Sequence, residues 1–370
     1  MPYRRITEVA LGKINVGIIF GGESTEHEVS RRSAVHVIES LDKFKYSFRL
    51  IEVTKNGNLY LYDEYSVDIL NDEILKIDNK LHRTPVGISK SLFSENTIDV
   101  VFSVIHGTGG EDGALQGFLE MCGVPYVGSG VAASAVGFDK AMSKIIFSHE
   151  GIPQADYICV STEFIDYKKL KNEVRKKLGY PVFVKPSNGG SSVGIYKVKD
   201  ESGLGTAVKK AAAYDRKILI EAYVPGREFE CAVIGGFDDV RVLGVGEIIP
   251  CNEFYDYNAK YIDENSVGII PAPIEKDIIK TIEGLSVRAF RVVDCYGLAR
   301  VDFFLKDNSE VILNEINTMP GFTSISMYPK LWAAGGGHNT ALITKLIELA
   351  FERKLKYKFL KDYCGDNENG

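Results

Sequence analysis

The chain has 370 residues, with 44 Lys and Arg against 50 Asp and Glu, and that length predicts two or three domains rather than one core. A formal charge of −6 argues against the broad basic face that nucleic-acid binding needs, while leaving room for local anion pockets. No apolar run approaches a membrane span, and the basic start Met1–Arg5 is followed by Thr7-Glu8 rather than a signal-like apolar core. A cytoplasmic protein with no membrane or nucleic-acid partner is the expectation.

The first third reads as alternating strand and helix. Ile14–Phe20 is a continuous apolar run broken by Gly21-Gly22. Thr25 and Glu28 are spaced as a capping box for the next helix, and Ala34, Val37, Ile38 and Leu41 give that helix one apolar face. Val100–Ile105 predicts a second buried strand, His106–Gly113 a glycine-rich loop, and Leu115, Phe118, Leu119 and Cys122 a helix face. Val124–Val127 predicts a further short strand. Buried strands alternating with helices imply a parallel sheet covered on both faces.

Beyond Asp139 the short strands Val182–Lys185 and Ile195–Val198 flank a Gly/Ser-rich loop, and Leu219–Tyr223 forms another strand. In the last third, Ile278, Ile282, Leu285, Ala289 and Val292 predict the buried stripe of a long helix. Leu298–Leu305 and Glu310–Ile316 predict a β-hairpin. The six cysteines (122, 159, 231, 251, 295, 364) are scattered without a Cys-x-x-Cys pair and predict reduced packing thiols. The histidines have no zinc-site spacing.

The hairpin carries the sharpest chemical signal. With a turn centred on Asn308-Ser309, Asp302 faces Glu315 and Arg300 faces Asn317. Opposed carboxylates repel across a sheet, and a hard divalent cation bound together with phosphates removes that repulsion. A solvated face with Arg300 as counter-ion accounts for the same pattern. In the loop from Lys185 to Gly194, glycines let backbone N–H groups approach phosphate oxygens and serines add donors. The lysine precedes the loop and a strand follows it, so the Walker arrangement does not apply. The loop reads either as a lid over phosphates or as an ordinary surface turn. Glu221 and Glu228 suit a purine amine and ribose hydroxyls, or simply solvent. Glu26 and His106 sit at strand ends where parallel-sheet proteins bind ligands, with a helix cap and a packed histidine as the plain alternatives. The aromatic, charged segment Tyr255–Tyr261 reads as a closing lid or as a loop anchor.

Together these segments resemble the D-alanine–D-alanine ligases across nearly the whole chain. The motifs are FGGESTEHEVS at 20–30, HGTGGEDGALQG at 106–117, VKPSNGGSSVG at 184–194, YDYNAKY at 255–261, ARVDFF at 299–304 and NEINTMPGFTSIS at 314–326. Six motifs in one order outweigh the plain reading of each. The resemblance implies an ATP-grasp fold, mixed α/β and α+β, in three domains: a Rossmann-like 1–138, a central 139–230 and a C-terminal 231–370. ATP would lie between the last two.

By the same resemblance, Lys140 and Lys185 contact nucleotide phosphates and Ser192 lies in the phosphate lid. Glu221 binds adenine with the backbone of Ala222 and Val224, and Glu228 binds ribose. Asp302, Glu315 and Asn317 match ligands of two Mg²⁺ (or Mn²⁺) ions. Glu26 receives the first D-alanine near His106, and Glu26, Ser191 and Tyr261 form a hydrogen-bonded triad. Lys260, Arg300, the Gly321 backbone, Ser326 and Met327 line the reacting carboxylate and the second D-alanine. A homodimer making D-alanyl-D-alanine for peptidoglycan is implied. The rival is a D-alanine–D-serine or D-alanine–D-lactate ligase of the vancomycin-resistance type; Ala259-Lys260-Tyr261 is the D-alanine-like form, although D-serine ligases can keep the Lys-Tyr pair.

Overall fold

The computed structural model describes residues 12–62, 67–70, 74–77, 83–87, 89–249 and 267–365. The first third contains β1 (Ile14–Gly21), β2 (Tyr46–Val53), β3 (Leu59–Tyr62), β4 (Val67–Leu70), β5 (Ile74–Ile77), β6 (Arg83–Val86) and β7 (Val100–Ser103). The main sheet runs β6-β3-β2-β1-β7, while β4 and β5 pair separately. Its centre, β2-β1-β7, is parallel as expected, but β3 and β6 join antiparallel. Residues 54–58 explain the antiparallel entry of β3: so short a link permits a hairpin but no crossover. The strand expected at Val124–Val127 is reduced to one parallel bridge between Tyr126 and Val101.

The helix His27–Ser40 buries Ala34, Val37 and Ile38 against this sheet, with Leu41 just beyond its end. The predicted capping box does not form, because the helix starts one residue late, with Glu26 rather than Thr25 as N-cap and no side-chain cap bond. Ser24 Oγ instead accepts from Glu26 N at 3.2 Å, and Glu28 turns outward to Lys55 at 3.1 Å.

The second sheet is antiparallel, β10-β9-β11-β8, built from β8 (Tyr157–Ser161), β9 (Val182–Pro186), β10 (Tyr196–Val198) and β11 (Lys217–Ala222). Side chains alternate along a strand. Val182, Val184, Ile218 and Ile220 therefore pack with Val174 and Leu204 of the covering helices, and Phe183, Lys185, Leu219 and Glu221 face the other way.

The third sheet, β14-β13-β12-β15-β16, is also antiparallel. It comprises β12 (Arg227–Gly235), β13 (Val240–Ile249), β14 (Val267–Ile269), β15 (Gly297–Lys306) and β16 (Glu310–Asn317). The helix Lys276–Val292 buries Ile282, Leu285 and Ala289, with Ile278 and Val292 half-buried, against Cys231, Val233, Val301 and Phe303. Alternation then turns Glu228, Glu230, Arg300 and Asp302 to the opposite face.

A further core joins the two ends of the chain. Phe322 meets Phe102 edge-on at 5.8 Å, and Leu342, Ile343 and Leu346 of the helix Asn339–Gly365 share that core with Val16 and Ile18. No described helix is long and apolar enough to cross a membrane. Cys122, Cys231 and Cys295 are buried free thiols. Cys159, on the edge strand β8, is exposed rather than packed, and Cys251 lies outside the described residues.

Candidate active site

The polar faces of the second and third sheets enclose a cavity of about 360 Å³. Lys140, Lys144, Lys185 and Glu221 line one side, and Glu228, Asp302, Glu315 and Asn317 the other. Ala222, Val224, Ser191 and Ser192 also line it.

Local structure places the lysines. Asp139 caps the helix Lys140–His149 by accepting from Met142 N, and it is held by Ser187 Oγ at 2.6 Å and by Lys217. Residues four apart share a helix face, so Lys140 and Lys144 both point into the cavity. Lys140 Nζ lies 3.2 Å from Glu315 Oε2 and donates to Gly189 O at 2.7 Å. Lys144 Nζ lies 2.6 Å from Glu221 Oε1, and Lys185 pairs with the other oxygen.

Burial opposes ionisation of Glu221, but Lys144 and then Lys185 override it and hold its pKa at about 2. Burial, helped by the charges of Lys144 and Lys140, pulls Lys185 below the ordinary lysine value despite Glu221. Lys140 goes the other way, since Glu315 outweighs the burial that would lower it. Lys144 belongs to no motif singled out in the sequence. Its signal was the four-residue spacing from Lys140.

The hairpin has the expected register at the site, Asp302 opposite Glu315 and Arg300 opposite Asn317, for a different reason. Asp307 and Asn308 adopt φ of 49° and 56° and the turn closes by Ser309 N to Lys306 O, which pairs Lys306 with Glu310. That turn alone would set Asp302 against Asn314. A bulge between Asp302 and Phe303 shifts the ladder by one residue and restores the facing carboxylates.

Arg300 grips Asp302 with two bonds, Nε to Oδ1 at 2.7 Å and Nη2 to Oδ2 at 2.8 Å, and its Nε lies 3.3 Å from Glu230 Oε2. Asn317 Nδ2 adds a bond to Asp302 Oδ2 at 3.0 Å. Arg300 is thus a counter-ion, but on a face withdrawn from solvent, with Asp302 and Glu230 buried and Arg300, Glu315 and Asn317 half-buried. Two opposed carboxylates and an amide, neutralised by Arg300 and Lys140, fit a hard divalent cation that takes its remaining oxygens elsewhere. Among the described residues, no group of three or more His, Cys, Asp or Glu could hold a metal by itself.

A second cavity, of about 680 Å³, lies between the N-terminal loops and the β9–β10 loop, and Glu26, Gly107 and Gly190 line it. Ser191 Oγ donates to Glu26 Oε1, so the loop reaches the first domain. A Cβ on Gly190 would stand 2.6 Å from Glu26 Oε2, and one on Gly107 2.5 Å from it. The missing Cβ at both positions leaves room for the Glu26 carboxylate, and Gly107 also holds a φ of 75° that favours glycine.

His106 is buried, with Nε2 3.0 Å from Ser33 Oγ and Nδ1 3.3 Å from Met319 O and 3.5 Å from Glu111 Oε1. Nδ1 faces two acceptors and therefore carries a proton. Burial lowers the imidazole pKa, yet Glu111 and then Glu26 outweigh it and raise it above the ordinary value. Glu111 was not singled out from the sequence, although it stands in the glycine-rich loop and also lines the first cavity.

Gly321 and Ser326 are half-buried, and Ser326 Oγ accepts from Thr323 N at 3.1 Å. Met327 is buried in the core beneath Gly246 and Gly268. None of these three lines either cavity. Lys260 and Tyr261, with the rest of the 255–261 segment, lie outside the described residues.

Comparison with known proteins agrees with this architecture. The domain family described as D-ala D-ala ligase N-terminus matches residues 15–129, and D-ala D-ala ligase C-terminus matches residues 146–348. The chain belongs to the D-alanine–D-alanine ligase family. A ligase of this family from Ruminiclostridium cellulolyticum is 48% identical over 365 residues, covering 93% of this chain and 96% of the relative. One from Acetivibrio thermocellus is 47% identical over 364 residues, covering 92% and 96%. Among solved structures, the Coxiella burnetii D-alanine–D-alanine ligase superposes with a TM-score of 0.81 at 32% identity, covering 97% of this chain and all of that one. The VanG D-Ala:D-Ser ligase of Enterococcus faecalis gives 0.79 at 33% identity over 92% of this chain and all of its own. The fold is the three-domain ATP-grasp fold of this ligase family.

Proposed function

We propose that the protein joins two D-alanines into D-alanyl-D-alanine, consuming ATP, for peptidoglycan precursor synthesis. It acts in the cytoplasm as a homodimer, with domain junctions near residues 138 and 230. The observation that carries the reading is one cavity in which three lysines meet a pair of opposed carboxylates, beside a serine loop bonded to Glu26.

ATP fills the first cavity. Lys140, Lys185 and Ser192 bind its phosphates, Glu221 accepts from the adenine amine beside the backbone of Ala222 and Val224, and Glu228 takes the ribose hydroxyls. Asp302, Glu315 and Asn317 would hold two Mg²⁺ or Mn²⁺ ions, which supply positive charge at the transferring phosphoryl group. Glu26 takes the first ammonium, with His106 nearby. A carboxylate is a poor acyl donor, so the first D-alanine's carboxylate attacks the γ-phosphorus and releases ADP. The second D-alanine's amine then attacks the acyl carbon and phosphate leaves.

Arg300 and the Gly321 N–H stabilise the tetrahedral oxyanion, where losing one donor costs ~3 kcal/mol. Lys260 and Ser326 bind the second D-alanine, and Met327, packed in the core, shapes that region from behind. The β9–β10 loop, bonded to Glu26 through Ser191, keeps water from the acyl phosphate, and Tyr261 is assigned as the third member of that triad by the family resemblance.

The test is incubation with ATP, Mg²⁺ and D-alanine, with and without D-serine or D-lactate, and product identification by mass spectrometry. D-Ala-D-Ala with one phosphate per dipeptide is the expected result. A dominant mixed dipeptide or depsipeptide would assign the protein to the resistance-type ligases instead.

A further inference from the structure

Lys144 is a buried lysine for which the reaction above has no part. Its side chain is 2% exposed, and buried cations are retained where they are paired. Its partner is Glu221, at 2.6 Å, with the Tyr157 ring 5.4 Å from Nζ. Tyr157, Glu221 and Phe183 stand opposite one another on β8, β11 and β9. They form a row of side chains facing the helix that carries Lys144.

Glu221 therefore has two counter-ions of different standing. Lys185 leads directly into the Gly/Ser loop and is a phosphate ligand in the reading above. Lys144 sits one turn into a helix whose N-terminus is fastened by Asp139, and its carbonyl accepts from Gln154 Nε2 at 2.7 Å. When Lys185 turns to a phosphate, a buried Glu221 left alone would tend to take up a proton. A protonated carboxyl loses acceptor capacity and becomes a donor, and so no longer matches an amine.

We infer that Lys144 is a positioning residue for the nucleotide, the standing counter-ion that keeps Glu221 ionised and aimed into the cavity while Lys185 serves the phosphates. The inference rests on the reading of this cavity as the ATP site. The low pKa of Glu221, with Lys144 as its foremost lowering influence, agrees with it.

The experiment is steady-state kinetics on Lys144→Met, Lys144→Arg, Glu221→Gln and the double variant Lys144→Met/Glu221→Gln, with circular dichroism melting to confirm folding. Lys144→Met raises KM for ATP about tenfold, the equivalent of one pKa unit of lost interaction. Its KM for D-alanine and its kcat at saturating ATP stay within about twofold. Lys144→Arg restores most of the affinity.

In the Glu221→Gln background, Lys144→Met adds less than about twofold, because the lysine acts through that carboxylate. Lys144→Gln, which keeps an N–H donor but no charge, reproduces the rise in KM if the methionine variant does not fold. An unchanged KM for ATP in the neutral variants, or an undiminished effect in the Glu221→Gln background, overturns the inference. An unchanged KM for ATP in Glu221→Gln alone removes the ATP-site reading, and the inference with it.

Discussion

Glu315 and Asp302 show how far a residue's partners define its chemistry. Each carboxylate is held by a cation, Lys140 and Arg300, and each has a neighbouring acid directly across the ladder. Glu315→Gln keeps shape and burial but removes the charge a divalent cation needs. Turnover by phosphate release should fall at least about a hundredfold with an unchanged circular dichroism spectrum, and near-normal ligation would remove the metal assignment.

His106 carries a second prediction. Its pKa is raised, so its stabilising contribution is complete below the ordinary value of 6.5 and is lost as pH rises through the raised folded value. In a proton NMR titration its imidazole should titrate above an exposed histidine, and Glu111→Gln should bring it down. Glu221 has the opposite sign. Its contribution is present above 4.5 and disappears as pH falls toward about 2. Urea midpoints of the wild type and Glu221→Gln should therefore converge as the solution is acidified through that window.

The β9–β10 loop is the element on which the two cavities meet. Ser191 and Ser192 hold φ of 50° and 60°, a costly conformation for residues with a Cβ, and Ser191 spans to Glu26. Gly190→Ala would push a methyl group against Glu26 Oε2. Loop closure should weaken, kcat should fall about tenfold, and ATP hydrolysis without dipeptide should rise as water gains access. Comparing released phosphate with dipeptide reads this directly, and a one-to-one ratio would count against the loop as a water seal. The hairpin teaches a related lesson. Its facing carboxylates depend on a bulge that cancels a one-residue offset in the register set by the turn, and neither Asn314 nor Asp307-Asn308 announces that pairing in the sequence.

At the scale of the molecule, Phe322 is the joint between the two ends of the chain. It is fully buried among Phe102, His36 and Tyr328, 292 residues apart at the extremes, in a core shared by β1, β7 and the last helix. Phe322→Ala leaves a cavity where two domains meet and should cost about 3–5 kcal/mol. Differential scanning calorimetry should show the N- and C-terminal transitions shifting down together, and an unshifted N-terminal transition would mean that the domains unfold independently.

The local pattern of the chain sufficed for the strands and helices whose side-chain period is strong, such as β1, β9, β15 and the helix Lys276–Val292. A period of two or 3.6 is written residue by residue and needs no distant partner. The glycine-rich loops and the acidic pairs were legible for the same reason, as residue types at fixed spacing. Contacts between distant segments were not legible. Lys144 reaching Glu221 and His106 reaching Met319 join residues 77 and 213 positions apart, and no local period encodes them; the bond from Ser191 to Glu26 was implied by the family resemblance alone. The antiparallel edge of the first sheet, the late start of the helix His27–Ser40 and the core around Phe322 belong with those contacts. Each was decided when buried polar groups and apolar surface found partners across the folded chain, which is a property of the packed molecule.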